Sequence, residues 1–365
     1  MTGDWGGARI ALEERGIKFT TTWTHDASAN VRGGIRRGTA VRGLVMGQLS
    51  IDLAALAHVP GATAMVSYAH FRGTNGSDVV GDIQAFSNID AEPFSHVFEA
   101  WVEQVVADGA LRAKVGRVDA NTEFAVVGPA GDFINSSAGF SPSILGLPTY
   151  PDPAMSANLF VAPASWLAVS GGIYAGTLAP IAASATTVRD RFTIGQVTAA
   201  WNHAGTLGAG KLGAGIWHHR GMAARFDGGF SKGVDGWWAT FEQRISAADA
   251  TGDAPARGVQ VFAKYGAAPA MLSVVHQHVM VGLVLDGGLR AGSQDGLGVA
   301  MTCADLSDVA AAGTPLDETS VEMFYKVKVL GFMTLRPNVQ YVVHPSGDSL
   351  RANALVATLR TGIVF

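Results

Sequence analysis

No run of 18 uncharged apolar residues occurs in the chain, yet apolar residues recur at every second position through much of it. A two-residue period belongs to a strand with two unlike faces, so the apolar character is distributed over strands and not over a spanning helix. In SVEMFYKVKV, Val321, Met323, Tyr325, Val327 and Val329 share one face. Ser320, Glu322, Lys326 and Lys328 share the other, and only Phe324 breaks the pattern. Leu335, Val339, Tyr341 and Val343 then alternate with Arg336, Asn338, Gln340 and His344. The last segment, NALVATLRTGIVF, sets Leu355, Ala357, Leu359, Ile363 and Phe365 against Thr358, Arg360 and Gly362. These three segments predict an up-and-down meander. A last strand that runs to an aromatic residue is committed to structure, and one setting that commits it is a closed barrel, where it pairs with the first strand.

The same period appears earlier. Val45, Leu49, Ile51 and Leu53 oppose Gln48, Ser50 and Asp52, while Phe98, Ala100, Val102 and Val106 oppose Glu99, Trp101, Glu103 and Val105. Asp108-Gly109 then signals a hairpin. Glycine supplies 46 of 365 residues, against roughly 7% in average usage, which favours strands and turns. Only 15% of residues are charged and mean hydropathy is +0.22, which is apolar for a water-exposed surface. A buried soluble core or a membrane barrel would account for that. Counting segments gives about 16 strands, the size of barrels with an aqueous channel. Connections such as HVPGA, Asp108-Gly109 and LGFM are tight, whereas residues 26–42, 73–95 and 120–155 read as long loops. Short turns at one rim and long loops at the other predict an all-β, transmembrane, antiparallel up-and-down barrel in one domain, 1–365, with both termini at the periplasmic rim. Residues 1–16 form the preceding periplasmic segment, with a short helix over Ala8–Arg15. No signal peptide precedes Thr2: either a leader was removed and Met1 is an expression remnant, or the protein is not exported.

The blocks TGDWGGARIALEERGI, GTNGSDVVGDIQAFSNIDA, EAWVEQ, KVGRVDANTEFA, FINSSAGFSP, PTYP and LRPNVQYVVHPSG occur in that order. Together they resemble the carbohydrate-selective porins of Gram-negative outer membranes, the OprB-type family. From about residue 176 to 315 only the strand rhythm matches. The resemblance implies a 16-stranded barrel that passes small sugars such as glucose without energy input, seated among outer-membrane lipids and lipopolysaccharide. It also implies that Phe365 is read by the barrel assembly machinery.

A pore for hydrated sugars must replace hydroxyl hydrogen bonds and offer a surface to the apolar ring faces. Glu99, Trp101 and Glu103 share a strand face that points inward if the apolar face meets lipid, and Arg112 and Lys114 face inward on the next strand. Arg117, Asp119, Asn121 and Glu123 follow at the start of the loop 120–155, which also holds Asn135. The loop 73–95 carries Asp78, Asp82, Gln84, Asn88, Asp90 and Glu92, and both loops exceed what a connection needs, so they are expected to fold inward and narrow the pore. Across from them, Arg32, Arg36, Arg37 and Arg42 would oppose the acidic loop and set a transverse field. Plain solvation of a channel wall, or capping of turns by Asp and Asn, explains the same residues equally well.

Other signals carry little. A net charge of −4 without a basic patch gives no reason to expect nucleic acid. Cys303 cannot form an internal disulfide. His218-His219 and His276-x-His278 lack a third metal ligand at suitable spacing, and no cofactor is implied. GAGKLGAG reads as strand-turn-strand and lacks the Lys-Ser/Thr ending of a phosphate loop. Asp119 and Glu123 could pair as glycosidase carboxylates, but a water-filled lumen does not raise one pKa. The competing readings are a general diffusion porin, an outer-membrane component of polysaccharide assembly and a soluble all-β carbohydrate-binding protein. A homo-oligomer is compatible with the alanine-rich faces.

Overall fold

The computed structural model describes residues 5–176, 190–202, 208–247, 258–287, 295–309, 313 and 316–365. Its strands are β1 (Ile17–Arg32), β2 (Gly38–Asp52), β3 (Ala62–Gly73), β4 (Phe94–Val106), β5 (Leu111–Val118), β6 (Ala154–Ala164), β7 (Leu167–Ala175) and β8 (Arg191–Asn202). They continue as β9 (Ala209–Ala224), β10 (Phe230–Ala247), β11 (Gly258–Ala267), β12 (Val275–Asp286), β13 (Gly296–Leu306), β14 (Glu318–Leu330), β15 (Met333–Val343) and β16 (Ala354–Val364). Each pairs antiparallel with its sequence neighbours, and β16 pairs with β1 from Thr22↔Val364 to Arg32↔Leu355, so the barrel is closed. Phe365 lengthens this seam by donating its backbone N–H to the Thr21 carbonyl at 2.8 Å. Helix α1 (Ala8–Glu14) precedes β1, and Trp5 beside it lies 6.3 Å from the Phe19 ring. No helix among the described residues is long and apolar enough to cross a membrane.

Burial along the strands is inverted relative to a water-soluble protein. On β14 to β16, Val321, Met323, Val339, Tyr341 and Leu359 are exposed, while Glu318, Ser320, Glu322, Asn338, Gln340, Thr358 and Arg360 are buried. An apolar outside around a polar inside is stable only if the outside meets hydrocarbon. Phe324 interrupts the alternation for a local reason. It points inward and packs edge-on against Phe133 of an infolded loop, with ring centroids 4.8 Å apart.

Three expectations need correction. Phe98 does not share the outer face of Val102. A bulge breaks the β3–β4 register, with Ser67 opposite Glu99 and Tyr68 opposite Val97, and the extra residue Phe98 turns inward among Leu44, Ala69, Phe71 and Ile89. Residues 26–42 are not a long loop. β1 and β2 fill most of that span and leave a turn at 33–37, held by Asn30 Nδ2 donating to the Gly33 and Arg36 carbonyls at 2.9 Å. Asp26, Ser28 and Asn30 are the inward half of a strand, and their polarity resembled that of a loop. GAGKLGAG contains no turn after its first residue; it runs along β9. A Cβ at Gly215 would collide with the Trp238 ring, and one at Gly298 with the Phe324 ring, so these glycines let inward aromatics lie across the neighbouring strand.

Arginine on the outer face should cost stability according to depth. Met323→Arg, midway along β14, is expected to cost about 2–4 kcal/mol, and Val329→Arg near the rim about 0–1. Denaturant unfolding from lipid vesicles measures both, and equal costs would contradict a lipid-facing β14.

Candidate functional site: a constriction built by two infolded loops

The connections 74–93 and 119–153 both leave the rim opposite the termini and turn into the lumen. Two inward glutamates four residues apart on β14 hold them. Glu318 accepts the backbone N–H groups of Ile83 (2.8 Å) and Gln84 (3.0 Å), and Glu322 accepts those of Ile134 (2.7 Å) and Asn135 (2.9 Å). Each carboxylate thus satisfies two consecutive donors that a loop in the lumen would otherwise leave unpaired. The loops also join each other: Asn88 N–H donates to the Ile134 carbonyl at 2.6 Å, and Ser136 N–H to the Ala85 carbonyl at 2.9 Å. Short helices lie around the pore: α2 (Leu53–Ala57) at the opposite rim, and α3 (Ser77–Val80) and α4 (Ser136–Gly139) inside these loops. Asn135 caps α4 by accepting from Ser137 N–H and donates to Gln340 Oε1 at 3.1 Å, so it is an anchor.

A charge network fixes the loop 74–93 to the barrel seam. Arg360 donates to both oxygens of Asp26 at 2.7 Å and to Asn88 Oδ1 at 2.8 Å, while Ser87 donates to Asp26 at 2.7 Å. Arg42 pairs with Asp90 and lies 5.0 Å from the centre of the Phe86 ring. Burial pushes the Asp90 carboxyl up, against the pull of Arg42, and it drives Asp82 up as well. Farther along the second loop, Asp132 binds Lys326 and Arg336, Lys264 Nζ donates to the Gly139 carbonyl at 2.9 Å, and Gly128 N–H donates to Glu242 at 3.1 Å. Contacts from β10, β11, β14 and β15 show that this loop traverses the lumen.

Between the loops and the wall of β1, β2 and β4 lies a chamber of about 610 Å³. Its polar lining includes Gln84, Asn88, Asp90, Glu99, Asp119, Asn121 and Arg360, and Phe98, Phe140 and Tyr150 contribute aromatic surface. Glu99 Oε1 accepts from Asp119 N–H at 3.0 Å, and Tyr150 donates to the Ile89 carbonyl at 2.8 Å. Asn121 Oδ1 has no protein donor. Asp119, buried by the loop beside Thr149, has a pKa pushed up to about 6. The infolded loop therefore supplies a desolvation that an open, water-filled lumen would not.

The remaining candidates divide into separate groups. Glu103, Arg112, Lys114 and Glu123 form one ion cluster, with Arg112 at 2.7 Å from Glu103 and 2.6 Å from Glu123. Burial alone would raise Glu123, but Arg112 and Lys114 hold its carboxyl below the usual range. Trp101 belongs to this group: Lys114 Nζ sits 4.1 Å from its ring centre, and the indole does not line the chamber. Arg117 does not point into the pore. It lies opposite Ala100 and the exposed Met155, on the outward register of β5, and pairs with Asp152 at the rim. The two-residue period that turns Arg112 and Lys114 inward turns residue 117 outward. Arg32, Arg36, Arg37 and Asp78 are exposed at the loop rim, so of the four arginines expected to face the acidic loop only Arg42 reaches the interior. Among residues not singled out from sequence, Asp26, Glu318 and Glu322 carry the loop anchors; their inward place in the alternation was the available signal.

A closed 16-stranded barrel with an apolar exterior and a lumen narrowed by its own loops is a porin. More narrowly, the chain belongs to the carbohydrate-selective porin, OprB family, whose model matches residues 36–365, and it is a protein of the Gram-negative outer membrane. It is 24% identical to Porin B of Pseudomonas aeruginosa over 445 residues, covering 100% of this chain and 91% of that protein. The high-pH structure of Pseudomonas putida OprB is similar with a TM-score of 0.87 at 21% identity, covering 100% of this chain and 98% of that one. Salmonella typhi OmpF, in complex with daunomycin, shares the fold with a TM-score of 0.58 at 9% identity, over 96% and 98% of the two chains.

Removing the β14 anchors should free the loops. Glu318→Ala with Glu322→Ala unpairs the four loop donors and also the Ser346 N–H that Glu318 accepts at 2.6 Å, each charged hydrogen bond being worth about 1.5–3 kcal/mol. Single-channel conductance is expected to rise, and residues 74–93 and 119–153 should become protease-sensitive. Unchanged conductance would contradict the docking role.

Asp119 gives a pH dependence. Its folded pKa of about 6 lies above the ordinary aspartate value of 3.8, so the folded chain binds the proton more tightly than the unfolded one. Its docked loop is therefore weakened as pH rises from about 4 through about 6, by at most roughly 3 kcal/mol. Hydrogen exchange at residues 120–124, corrected for intrinsic rate, should show protection falling over that window in the native protein and flat in Asp119→Asn.

Proposed function

We propose that small neutral sugars diffuse passively through the chamber between the two loops, and that this chamber sets the preference among them. The observation that carries this reading is its mixed lining: aromatic surface from Phe98, Phe140 and Tyr150 faces hydrogen-bonding groups from Asn88, Glu99, Asn121 and Arg360 within one cavity of about 610 Å³. A pyranose presents the complementary pair, an apolar ring face and a rim of hydroxyls. The Asp26–Arg360 pair keeps the neighbouring wall polar without leaving a net charge free to trap a permeant ion. Concentration difference drives the flux along this path.

Liposome swelling with a panel of sugars, together with sugar block of ion current, tests the proposal. Tyr150→Phe should keep block close to native, whereas Tyr150→Ala, losing about 1 kcal/mol of stacking, should weaken it roughly fivefold. Ion current in the absence of sugar should change less. Swelling rates that follow solute size alone, with no block by any sugar, would make the protein a general diffusion channel.

A further inference from the structure

The outer wall of β8, β9 and β10 carries cations that the sugar path does not use. Arg191 on β8 and Arg220 on β9 are direct cross-strand partners at the rim bearing the long loops, and Lys232 on β10 faces Met222, one outward position beyond Arg220. All three are exposed, and their inward neighbours Phe192 and His219 are fully buried, so the cations point away from the lumen. Nearby carboxylates are engaged elsewhere. Asp227 binds Arg225 at 2.7 Å, Asp235 binds His218 at 2.7 Å, and Asp190 meets His219 on the inside at 3.5 Å. Among the described residues none forms an ion pair with Arg191, Arg220 or Lys232. Like charges facing each other across a ladder are destabilising unless an anion lies between them.

Below these cations, on the same strands, an outward apolar groove of about 510 Å³ runs past Thr193, Ile216 and Trp237. Ile216 is 69% exposed and Trp237 48%. Ile216 stands four residues below Arg220, roughly 13 Å along the strand at about 3.3 Å per residue. An exposed cationic patch at headgroup level above an apolar groove at acyl depth matches an amphipathic anion anchored in the outer leaflet.

We propose that this face binds a phosphorylated glycolipid of the outer leaflet, with a phosphate among Arg191, Arg220 and Lys232 and one acyl chain along Ile216 and Trp237. A free phosphate accounts for the cations but leaves the groove without an occupant. Between the two halves, Asp235 is already engaged by His218, whose Nδ1 lies 2.7 Å from its carboxylate.

Native mass spectrometry of the full barrel in detergent tests this with bis-phosphorylated lipid A, fully dephosphorylated lipid A and inorganic phosphate as probes. Native protein should hold the bis-phosphorylated lipid at least about tenfold more tightly than Arg191→Gln/Arg220→Gln. Arg191→Lys/Arg220→Lys should retain most of the binding, Ile216→Asn should lose part of it, and millimolar inorganic phosphate should not compete. Heat-modifiable gel mobility and unchanged sugar swelling verify that each variant is folded. Equal retention by native and double-Gln proteins, or equal retention of the dephosphorylated lipid, overturns the site. Competition by inorganic phosphate with Ile216→Asn behaving as native overturns the lipid assignment and leaves a free-anion site.

Discussion

Every backbone N–H and C=O at hydrocarbon depth needs a partner inside the protein, and the β1–β16 seam is where this chain meets that requirement. Neighbouring strands pair through local hairpins, but the seam joins residues more than 300 positions apart, from Thr22 to Val364. Loop-closure entropy makes this the costliest pairing to form, and without it both terminal strands present open edges to lipid. The seam also carries Asp26 and Arg360, whose paired side chains reach Ser87 and Asn88. Closure of the barrel and placement of the loop 74–93 therefore depend on the same two strands.

Loops inside a lumen face a problem that rim loops do not, because their backbone groups leave bulk water. Glu318 and Glu322 address it with one device repeated four residues apart along β14, each carboxylate accepting two adjacent amides from a different loop. Burying a carboxylate is expensive unless all its lone pairs are used, and Glu322 is further engaged by Asn338. The arrangement is rigid because each partner is costly to abandon. It also explains why the lumen holds several small apolar clusters under the loops in place of one continuous core.

The wall was legible in the sequence because its two faces obey one period and one solvent contrast. Strand number, the meander at the end and the inward position of Arg112 and Lys114 all follow from that. Failures occurred where a local feature overrode the pattern: the bulge at Phe98, and the apolar cluster under the second loop that takes in Phe324. Asp26 was hidden by composition, since a polar inward strand end looks like a loop. Arg117 shows the converse, for strict alternation placed it outside while its charge suggested the pore. The chamber was only partly legible. Asn88, Glu99 and Asn121 were identifiable as polar groups near the lumen, but which of them meet, and that Lys114 covers Trp101, depends on how two loops with no periodicity cross each other.

Stability and selectivity consequently rest on different parts of the molecule. The ladder and the lipid contact hold the barrel whatever lies inside it, while the chamber exists only because loops are pinned to the inner wall by charge pairs and carboxylate–amide bonds. A substitution on the inner face of β14 can therefore alter permeation without touching the residues that contact solute, by changing where the loops sit. Conversely, the outer face is free to adapt to lipid, since nothing it contacts is transmitted to the chamber except through the ladder. The cations of β8 to β10 occupy that free face, and so a lipid bound there would steady the barrel at the rim while leaving the sugar path unaltered.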